Sequence, residues 1–474
     1  MSDKKSILLV AHNSIHSAVF GGVEVYLSQI SGWLAKDYTV YCYVPDTEKH
    51  SGALYLYDSD GALVRTDCPT SSFTNWQLRC SAREADFYNL LQEYQIDLVH
   101  FHHLAGHPPS LIKVAKQFGA SVVFTLHDYF GLCHIANLIN EKGNYCAPDQ
   151  ILISDCDRCL QKKYGLEPGS QSNRRAYWNT LFSSIDSLIF NTAGGLRLAS
   201  DIYPAIANHP NKAILPVAIE KKALPVHSKE VSQPLKVAIL GNLSHHKGAE
   251  TIITAINSLA NEPIEFHFFG VVEEVYEKQL KAAQKKAAQN PRVFLHGKYP
   301  PGQIPPLVAT CDVSLHVSIL PETYGLTLSE AWTLGLVPIV TNIGALGERV
   351  SDGINGIKIP VGSSTDLIKA LQTLLSQPSK LATLRKPIAD LPISWMPSHI
   401  ADLSHLYQGL LQNPKVLKPH VSSAGQDGHG GGVNTLAENW ARLPMPSSDK
   451  DAQLKVRSLP SRLKGRLGAW LKGK

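Results

Sequence analysis

Short runs of aliphatic and β-branched residues alternate along the chain with longer segments whose apolar residues recur every three or four positions. The first run, at residues 6–13, leads into a loop with Gly21 and Gly22 and then into an amphipathic segment at residues 23–34. A short apolar run predicts a buried strand, and the longer spacing predicts a helix. The chain therefore begins with a strand, a glycine-bearing loop and a helix.

The same order of features returns in the second half of the chain. The apolar run at residues 235–242 leads into Lys247 and Gly248 and then into an apolar-periodic segment that ends at Ala260. Further predicted strands, separated by helical patterns, lie at residues 39–44, 98–101, 122–126, 187–190, 265–269, 293–295, 313–317 and 338–340. Strands that alternate with helices indicate parallel sheets. We therefore predict the α/β class, with two Rossmann-like domains that face each other across a cleft.

The predicted boundaries follow changes in composition. Residues 217–234 are polar and contain prolines, which indicates a linker between the two domains, and the glycine- and serine-rich stretch beyond residue 412 predicts disorder. The predicted segments are an N-terminal domain at 1–220 with a cysteine-rich insert at 130–165, a C-terminal domain at 221–392, a closing helix at 393–412, a disordered linker at 413–453 and a basic amphipathic helix at 454–474.

Length and composition narrow the class of protein. A chain of 474 residues exceeds what one hydrophobic core usually organises, and 44% hydrophobic with 18% charged residues is typical of soluble globular proteins. No apolar run reaches the roughly 18 residues of a membrane-spanning helix, and the apolar N-terminal run reads as a strand and not as a signal peptide. Eight cysteines in so long a chain favour a reducing compartment. We therefore expect a cytoplasmic protein.

The positive charge is concentrated at the C-terminus. The formal net charge is +5, and residues 454–474 contain seven Lys and Arg and no acid, so the remainder is close to neutral and no nucleic-acid partner is expected. Leu463, Leu467, Trp470 and Leu471 form one apolar stripe of a helix. Such a helix suits an anionic membrane, and we predict peripheral contact with its inner face. The alternative is a disordered tail or a helix docked on its own protein.

Two carboxylates flank a predicted helix start in the segment Pro321-Glu-Thr-Tyr-Gly-Leu-Thr-Leu-Ser-Glu330. Glu322 lies in the loop after a predicted strand, and Glu330 lies on a predicted helix at residues 326–334, which Gly335 ends. Open α/β sheets bind ligands at the carboxyl ends of their strands, and a helix N-terminus favours phosphate. Carboxylates accept hydrogen bonds from sugar hydroxyls. The segment therefore fits a nucleotide sugar, with a sugar at one end, phosphates in the middle and a ribose at the other end.

Further motifs occur in a fixed order around this segment. They are Gly21-Gly22-Val-Glu24, Asp97-Leu-Val-His-Phe-His-His103, Thr125-Leu-His127-Asp128, Gly241-Asn-x4-Lys247-Gly248, Glu322-x7-Glu330, Gly344-Ala-Leu-Gly-Glu348 and Asp352-Gly-x-Asn-Gly356. Over most of residues 6–412 the chain resembles the retaining glycosyltransferases of family four, the glycosyl transferases of group 1, which have the GT-B fold.

The resemblance implies a role for individual residues. His127, Lys247 and Glu322 are the implied catalytic residues: His127 lies over the reacting sugar, Lys247 neutralises the diphosphate and Glu322 binds hydroxyls of the transferred sugar. Glu330 binds the donor ribose, and Gly22 lets the backbone approach the diphosphate. The implied donor-binding residues are Gly21, Gly22, Asn242, Lys247, Glu322, Tyr324, Gly325, Leu326, Thr327 and Glu330. Asn242 departs from the family pattern, because the family often has an arginine there and an asparagine supplies no charge.

The activity implied by the resemblance is metal-independent transfer of a hexose from a nucleotide sugar, with retained configuration, to a glycan or lipid-linked acceptor in surface polysaccharide synthesis. No cofactor for catalysis is implied. One alternative is a nucleotide-sugar epimerase of the same fold. Another is a non-catalytic scaffold that binds sugar nucleotides. Transfer is distinguished from both by the release of nucleoside diphosphate only when an acceptor is present.

Four cysteines cluster directly after the His127 segment. Cys133, Cys146, Cys156 and Cys159 have the spacing C-x12-C-x9-C-x2-C within a polar insert. Four thiolates that include a Cys-x2-Cys pair suit a structural zinc ion. The alternatives are four free thiols or a disulfide formed on purification.

Overall fold

The structure, a computed structural model, describes residues 4–14, 21–47, 52–220, 233–286, 292–300 and 303–412. The predicted linker at 413–453 and the predicted basic helix at 454–474 lie outside the described residues. Among the described residues, no helix is both long enough and apolar enough to cross a membrane.

The described strands form two sheets. The strands are β1 (Ser6–Val10), β2 (Thr39–Pro45), β3 (Leu54–Asp58), β4 (Leu63–Asp67), β5 (Leu98–Phe101), β6 (Ser121–Leu126), β7 (Ser187–Phe190), β8 (Lys212–Ile214), β9 (Leu235–Leu240), β10 (Ile264–Phe269), β11 (Val293–Gly297), β12 (Val313–His316), β13 (Val337–Thr341) and β14 (Ile357–Ile359). One sheet has the order β4-β3-β2-β1-β5-β6-β7-β8, and the other has the order β11-β10-β9-β12-β13-β14.

Helices separate most of these strands along the chain. The helices are α1 (Gly22–Leu34), α2 (Ser81–Glu93), α3 (Leu111–Phe118), α4 (Ile153–Tyr164), α5 (Ser170–Phe182), α6 (Ala193–Ile202), α7 (Pro204–Ala207), α8 (Ala249–Ser258), α9 (Glu274–Lys286), α10 (Leu326–Thr333), α11 (Gly344–Arg349), α12 (Ser364–Ser376), α13 (Pro378–Arg385) and α14 (Met396–Gln412). The two largely parallel sheets and their helices confirm the predicted α/β class.

The central strands of both sheets are buried, which explains their largely apolar sequences. In the first sheet β1 pairs in parallel with β2 and β5, and Ile7, Leu8 and Val10 are fully buried. In the second sheet β9 pairs in parallel with β10 and β12, and Leu235 and Val237 are fully buried. A parallel strand covered on both faces presents no polar alternation, so its sequence is a short apolar run.

The antiparallel edge of the first sheet is a difference from the sequence prediction. Strands β3 and β4 form a hairpin that pairs antiparallel with β2. Leu54 and Leu56 are buried, whereas Tyr55 and Tyr57 are half-buried. This alternation is the period of a strand with one face toward the core. The prediction omitted the hairpin because only one of its strands carries this pattern, while Leu63 and Val64 of β4 are exposed.

The contacts of the described residues divide the chain into two units. The first takes in the described residues of Met1–Phe124, Gly169–Ser187 and Leu406–Lys474, and the second consists of those of Thr125–Pro168 and Leu188–His405. These bounds differ from the predicted domain boundaries, which stay a prediction. Within the first unit, Nδ1 of His100 is hydrogen-bonded to the hydroxyl of Tyr407 at 2.6 Å, so the end of α14 packs into this unit's core.

The C-terminal end of α10 confirms the predicted role of Gly335. This glycine has a φ of 68°, and its N–H donates to the carbonyl of Trp332 at 3.0 Å. The N–H of Leu336 donates to the carbonyl of Ala331 at 3.1 Å. These two bonds are the Schellman pattern, which needs a left-handed residue after the helix. The turn leads the chain directly into β13.

Candidate active site

The structure pairs two predicted site residues of the second unit. Nζ of Lys247 donates to Oε1 of Glu322 at 2.5 Å, and the hydroxyl of Ser318 donates to the same oxygen at 2.6 Å. The Glu322 side chain is 17% exposed, and that of Lys247 is 40% exposed. Glu322 is therefore held by two hydrogen-bond donors, and the side chain of Lys247 remains partly exposed.

Electrostatics keep Glu322 ionised. Burial by itself raises the pKa of this carboxyl, but the Lys247 ammonium and the hydrogen bonds from Lys247 and Ser318 outweigh burial and lower the pKa below its ordinary value. Charge-assisted hydrogen bonds favour the ionised form of an acid. The site therefore holds a carboxylate that accepts hydrogen bonds beside a cation that donates them.

The loop that carries Lys247 packs closely on the end of β12. Gly248 has a φ of +81°, and a Cβ atom there would lie 2.1 Å from the carbonyl oxygen of Val317. The N–H of Ile319 donates to the carbonyl of His246 at 3.0 Å. Only a residue without Cβ permits this approach. These backbone contacts set the position of Lys247 relative to the loop of Glu322.

A half-buried arginine shapes the start of α10. Nη1 of Arg349 donates to the carbonyls of Tyr324 and Gly325 at 2.9 and 3.0 Å, and Nη2 donates to the hydroxyl of Ser329 at 2.6 Å. Its guanidinium lies 3.9 Å from the centre of the Tyr324 ring. Gly325 has a φ of 81°, which suits the residue that precedes the helix. Arg349 thereby fixes the turn from which the first N–H groups of α10 emerge.

Arg349 and Ser318 did not stand out in the sequence. Both residues act through hydrogen bonds that no sequence motif indicates, and neither belongs to a periodic pattern. The one signal was the position of Ser318 four residues before Glu322, directly after a predicted strand. Arg349 does not replace the arginine that the family pattern has at Asn242, because its guanidinium is bonded to the carbonyls of Tyr324 and Gly325, which precede α10.

His127 and the loop before α10 are joined within the second unit. The hydroxyl of Thr323 donates to the carbonyl of His127 at 2.6 Å, and the hydroxyl of Thr192 donates to the carbonyl of Thr323 at 3.5 Å. The His127 side chain is buried. The structure thus brings the residue after the end of β6 next to the residue that follows Glu322.

Thr327 and Glu330 lie on the first turns of α10. The hydroxyl of Thr327 is hydrogen-bonded to Nδ1 of His316 at 3.3 Å. Burial, followed by the charges of Lys247 and Arg349, lowers the pKa of His316 to about 3, so this imidazole is neutral. Glu330 is half-buried, and after burial its charge contributes to raising the pKa of Tyr299.

The side-chain oxygen of Asn242 has a local partner. It accepts a hydrogen bond from the N–H of Val271 at 3.2 Å, which joins the loops after β9 and β10. The two loops also meet at Gly270, whose missing Cβ would lie 2.1 Å from the carbonyl oxygen of Gly241. The side chain of Asn242 therefore holds two loops together, at a position where the resemblance implies a contact with the nucleotide-sugar donor.

The glycine loop before α1 belongs to the first unit. The N–H of Gly21 donates to Oε2 of Glu24 at 2.6 Å, and Nε2 of His12 lies 3.1 Å from Oε1 of the same carboxylate. Glu24 is buried in the first turn of α1, where a negative charge is favourable. Glu24 thereby orders the loop of Gly21 and Gly22, whose predicted role toward a diphosphate stays a prediction.

Glu348 connects two helices of the second unit. Its carboxylate accepts hydrogen bonds from the N–H groups of Ala193 at 3.1 Å and Gly194 at 2.7 Å, the first residues of α6. Unpaired N–H groups at a helix start favour such an anion. The carboxylate lies 155 residues away in sequence from the helix start it caps, and no local pattern could have indicated this contact.

Comparison with known proteins supplies the family. Residues 220–388 match the model of the glycosyl transferases group 1, and residues 20–193 match that of glycosyltransferase family 4. Over 213 residues the chain is 22% identical to the 2-deoxystreptamine glucosyltransferase of Streptomyces kanamyceticus, a match that covers 45% of this chain and 54% of that enzyme. The chain thus spans about half the length of this relative.

Two solved structures show the fold. The sucrose-phosphate synthase of Thermosynechococcus elongatus superposes with a TM-score of 0.62 at 15% identity, over 86% of this chain and 99% of that one. Anabaena HepE, solved in complex with UDP-glucose, superposes with a TM-score of 0.55 at 16% identity, over 85% of this chain and 99% of that one. At these identities the likeness concerns the fold alone.

Proposed function

The chain belongs to the glycosyltransferases of group 1 and family 4 and has the GT-B fold, and from this premise we propose that it transfers a hexose from a nucleotide sugar to a hydroxyl of a glycan or glycolipid. In this proposal the configuration of the sugar is retained and no metal takes part in catalysis. The reaction serves synthesis of a surface polysaccharide on the cytoplasmic side of the membrane.

The observation that carries the proposal is the ion pair between Lys247 and Glu322 in the loops beside the start of α10. A nucleotide sugar needs positive charge for its phosphates and acceptors for its sugar hydroxyls. Lys247 and the N–H groups at the start of α10 supply the first, and the ionised Glu322 supplies the second. The solved complex of HepE contains a ligand of this class, UDP-glucose.

The chemistry follows from the charges that develop. The bond between the anomeric carbon and the phosphate oxygen breaks, and its electron pair goes to the departing diphosphate. Lys247 and the start of α10 stabilise that growing charge, so the chain's own groups meet a need that a metal ion meets elsewhere. The acceptor oxygen bonds to the anomeric carbon on the same face, and its proton passes to the departing phosphate. Glu322 and His127 hold the sugar, and Glu330 holds the ribose.

The direct test is an assay with a panel of nucleotide sugars, with and without oligosaccharide and lipid-linked acceptors. We expect nucleoside diphosphate to be released in proportion to glycoside formed, and NMR of the product to show the anomeric configuration of the donor. Conversion of the donor to an epimer without release would identify an epimerase. Binding without any turnover across the panel would indicate a scaffold.

Replacing the two glutamates separates binding from transfer. Glu330→Gln removes a charged acceptor for the ribose and should weaken donor binding by roughly 10- to 100-fold, which corresponds to about 1.5–3 kcal/mol. Glu322→Gln should chiefly lower kcat, because this side chain contacts the transferred sugar and Lys247. Glu274→Gln on α9 is the control, since Glu274 is a surface residue paired with Lys278. Wild-type kinetics in both site variants would contradict the assignment of Glu322 and Glu330 to the donor site.

The C-terminal segment yields a separate prediction from its sequence. We propose that residues 454–474 hold the enzyme at the inner face of the membrane, near a lipid-linked acceptor, with about 1 kcal/mol per cation near the surface. Deleting residues 454–474 should abolish co-sedimentation with anionic vesicles and leave donor binding unchanged. Neutral vesicles serve as the control. Vesicle binding that survives the deletion, or that never occurs at low salt, would contradict the proposal.

A further inference from the structure

A short hairpin of the second unit spans residues 138–146, between β6 and α4. The N–H of Asn140 donates to the carbonyl of Asn144 at 2.8 Å, and the N–H of Gly143 donates to the carbonyl of Asn140 at 3.0 Å. The N–H of Asn144 donates to Oδ1 of Asn140 at 3.1 Å. That N–H shares a peptide plane with the carbonyl of Gly143, so this bond fixes the direction of the carbonyl at the hairpin turn.

His245 joins the hairpin turn to helix α8. Nε2 of His245 lies 3.1 Å from the carbonyl oxygen of Gly143, and Nδ1 lies 2.9 Å from Oε1 of Glu250 in the first turn of α8. A carbonyl oxygen and an ionised carboxylate can only accept hydrogen bonds. Both ring nitrogens must therefore carry a proton if both bonds are to form, and this form is the imidazolium. A neutral imidazole makes only one of the two bonds.

Glu250 is ionised in this arrangement. The hydroxyl of Tyr276 on α9 donates to Oε1 of Glu250, the same oxygen that faces His245. Burial by itself raises the pKa of Glu250, but the hydrogen bonds from Tyr276 and His245 outweigh burial and lower that pKa below its ordinary value. The partner of Nδ1 is therefore a carboxylate throughout the pH range in which a histidine titrates.

The groups that neighbouring elements direct at His245 favour its protonated form. The hydrogen bond to Glu250 of α8 is the largest cause that raises the pKa of His245, and burial opposes it. The carbonyl of Gly143 in the hairpin and the charges of Glu250 and of Glu273, which precedes α9, raise this pKa further. Three separate elements therefore contribute acceptors or negative charge around one imidazole.

His245 and Lys247 belong to one short turn. The 3-10 turn His245–Lys247 ends at Gly248, whose N–H donates to the carbonyl of His245 at 3.0 Å. The N–H of Lys247 donates to the carbonyl of Ser244 at 3.1 Å. Burial, followed by the charge of Lys247, lowers the pKa of His246 to about 4, so this imidazole is neutral. Because the turn is closed by its own bonds, a displacement of His245 also displaces the backbone of Lys247.

We propose that His245 is a positioning residue for Lys247, and that its imidazolium, held between Glu250 and the carbonyl of Gly143, strengthens binding of a diphosphate. This inference deepens the proposed function and rests on it, because Lys247 is the cation proposed to meet the diphosphate. When His245 loses a proton, one of its two bonds is lost and the turn is held less firmly. Diphosphate binding is therefore expected to weaken as the pH rises through the pKa of His245.

NMR of the full-length chain with 15N-labelled histidine tests the imidazolium without any ligand. His245→Gln identifies the signals of His245 by their loss. We expect the pKa of His245 to lie above the ordinary value of about 6.5, and we expect Glu250→Gln to lower it. A pKa at or below the ordinary value in the wild-type chain would overturn the proposal.

Binding of UDP, GDP and ADP, measured between about pH 5 and 8, where histidine titrates, tests the link to Lys247. The nucleotide that binds the wild-type chain most tightly is the probe. At the acidic end His245→Ala should weaken binding by roughly two- to five-fold, the scale of an exposed charged contact, and at the alkaline end by less. The variant is compared with wild type at each pH, because the titration of the nucleotide's own phosphate then cancels.

Two further variants separate positioning from charge. His245→Gln retains a neutral donor for the carbonyl of Gly143, so it should bind the nucleotide more tightly than His245→Ala, by a ratio that does not change with pH. His405→Asn is the control, because His405 is an exposed histidine on α14, and it should match the wild-type chain at every pH.

Three results of the binding experiment would count against the proposal. Equal binding by His245→Gln and His245→Ala would show that His245 acts through its charge alone and would overturn its positioning role. Wild-type affinity of His245→Ala at every pH would overturn any link to Lys247. If none of the three nucleotides binds the wild-type chain at any pH, the proposed function is refuted, whereas the pKa measured by NMR still decides whether His245 is the imidazolium between α8 and the hairpin.

Discussion

Replacing Lys247 with methionine is expected to lower kcat for sugar transfer by roughly 10²–10³-fold, the range measured when one donor to a developing charge is removed. Methionine keeps most of the length of lysine and none of its charge. In the proposed mechanism the departing diphosphate then loses the charge of Lys247, and the half-buried Glu322 loses the charge that lowers its pKa. Transfer kinetics and the Kd values of nucleoside and nucleoside diphosphate are the measurements.

The ligand comparison locates the effect. We expect Lys247→Met to weaken binding of the nucleoside diphosphate and to leave binding of the nucleoside unchanged, because only the nucleoside diphosphate carries phosphates. Lys281→Met on α9 is the control, since Lys281 pairs with Glu277 at the surface. A Lys247→Met enzyme with the wild-type kcat would show that another group handles the phosphate charge.

Gly248→Ala is the second substitution with a large expected effect. The new Cβ would lie 2.1 Å from the carbonyl oxygen of Val317 and 3.0 Å from its carbonyl carbon, so the backbone must move. The positive φ adds strain for any residue with a Cβ. We expect the free energy of unfolding to fall by about 2–4 kcal/mol. We also expect the rate of sugar transfer to fall by more than the loss of stability explains, because Lys247 moves with the loop.

A second glycine distinguishes the cost of a positive φ from the cost of a steric clash. Gly353 has a φ of +70°, and a Cβ there would meet no atom within 4 Å. Gly353→Ala therefore reports the conformational cost alone, measured by denaturant unfolding alongside Gly248→Ala. Equal losses of stability and activity in the two variants would mean that the close approach to Val317 does not position the loop.

The features that the sequence predicted correctly are local ones. The buried strands β1, β5 and β9 are largely apolar because both of their faces are covered, and Gly335 ends α10 through a conformation that glycine favours. Glu322 was expected near the start of α10 because one loop joins them. Such features depend on neighbours within a few positions, which a single sequence displays directly.

The unpredicted features join residues that are far apart in the chain. Glu348 caps the first residues of α6, and Arg349 holds carbonyl groups before α10. The ion pair of Lys247 with Glu322 spans 75 residues. Both residues were expected at the donor, but their mutual bond depends on how β9 and β12 are placed side by side. One sequence shows which groups can bond, and the fold decides which of them meet.

The hydrogen bond from His245 to Gly143 constrains the two residues unequally during evolution. The acceptor is a main-chain oxygen, which every amino acid possesses, so mutation at the hairpin turn cannot delete it. What the turn needs is a φ near +86°, and a Cβ there would lie 3.4 Å from the histidine ring. Glycine is favoured for conformation and clearance, whereas His245 must retain a side-chain donor. The contact therefore depends on the conformation of the turn and on the imidazole of His245, and not on the identity of a side chain at the acceptor.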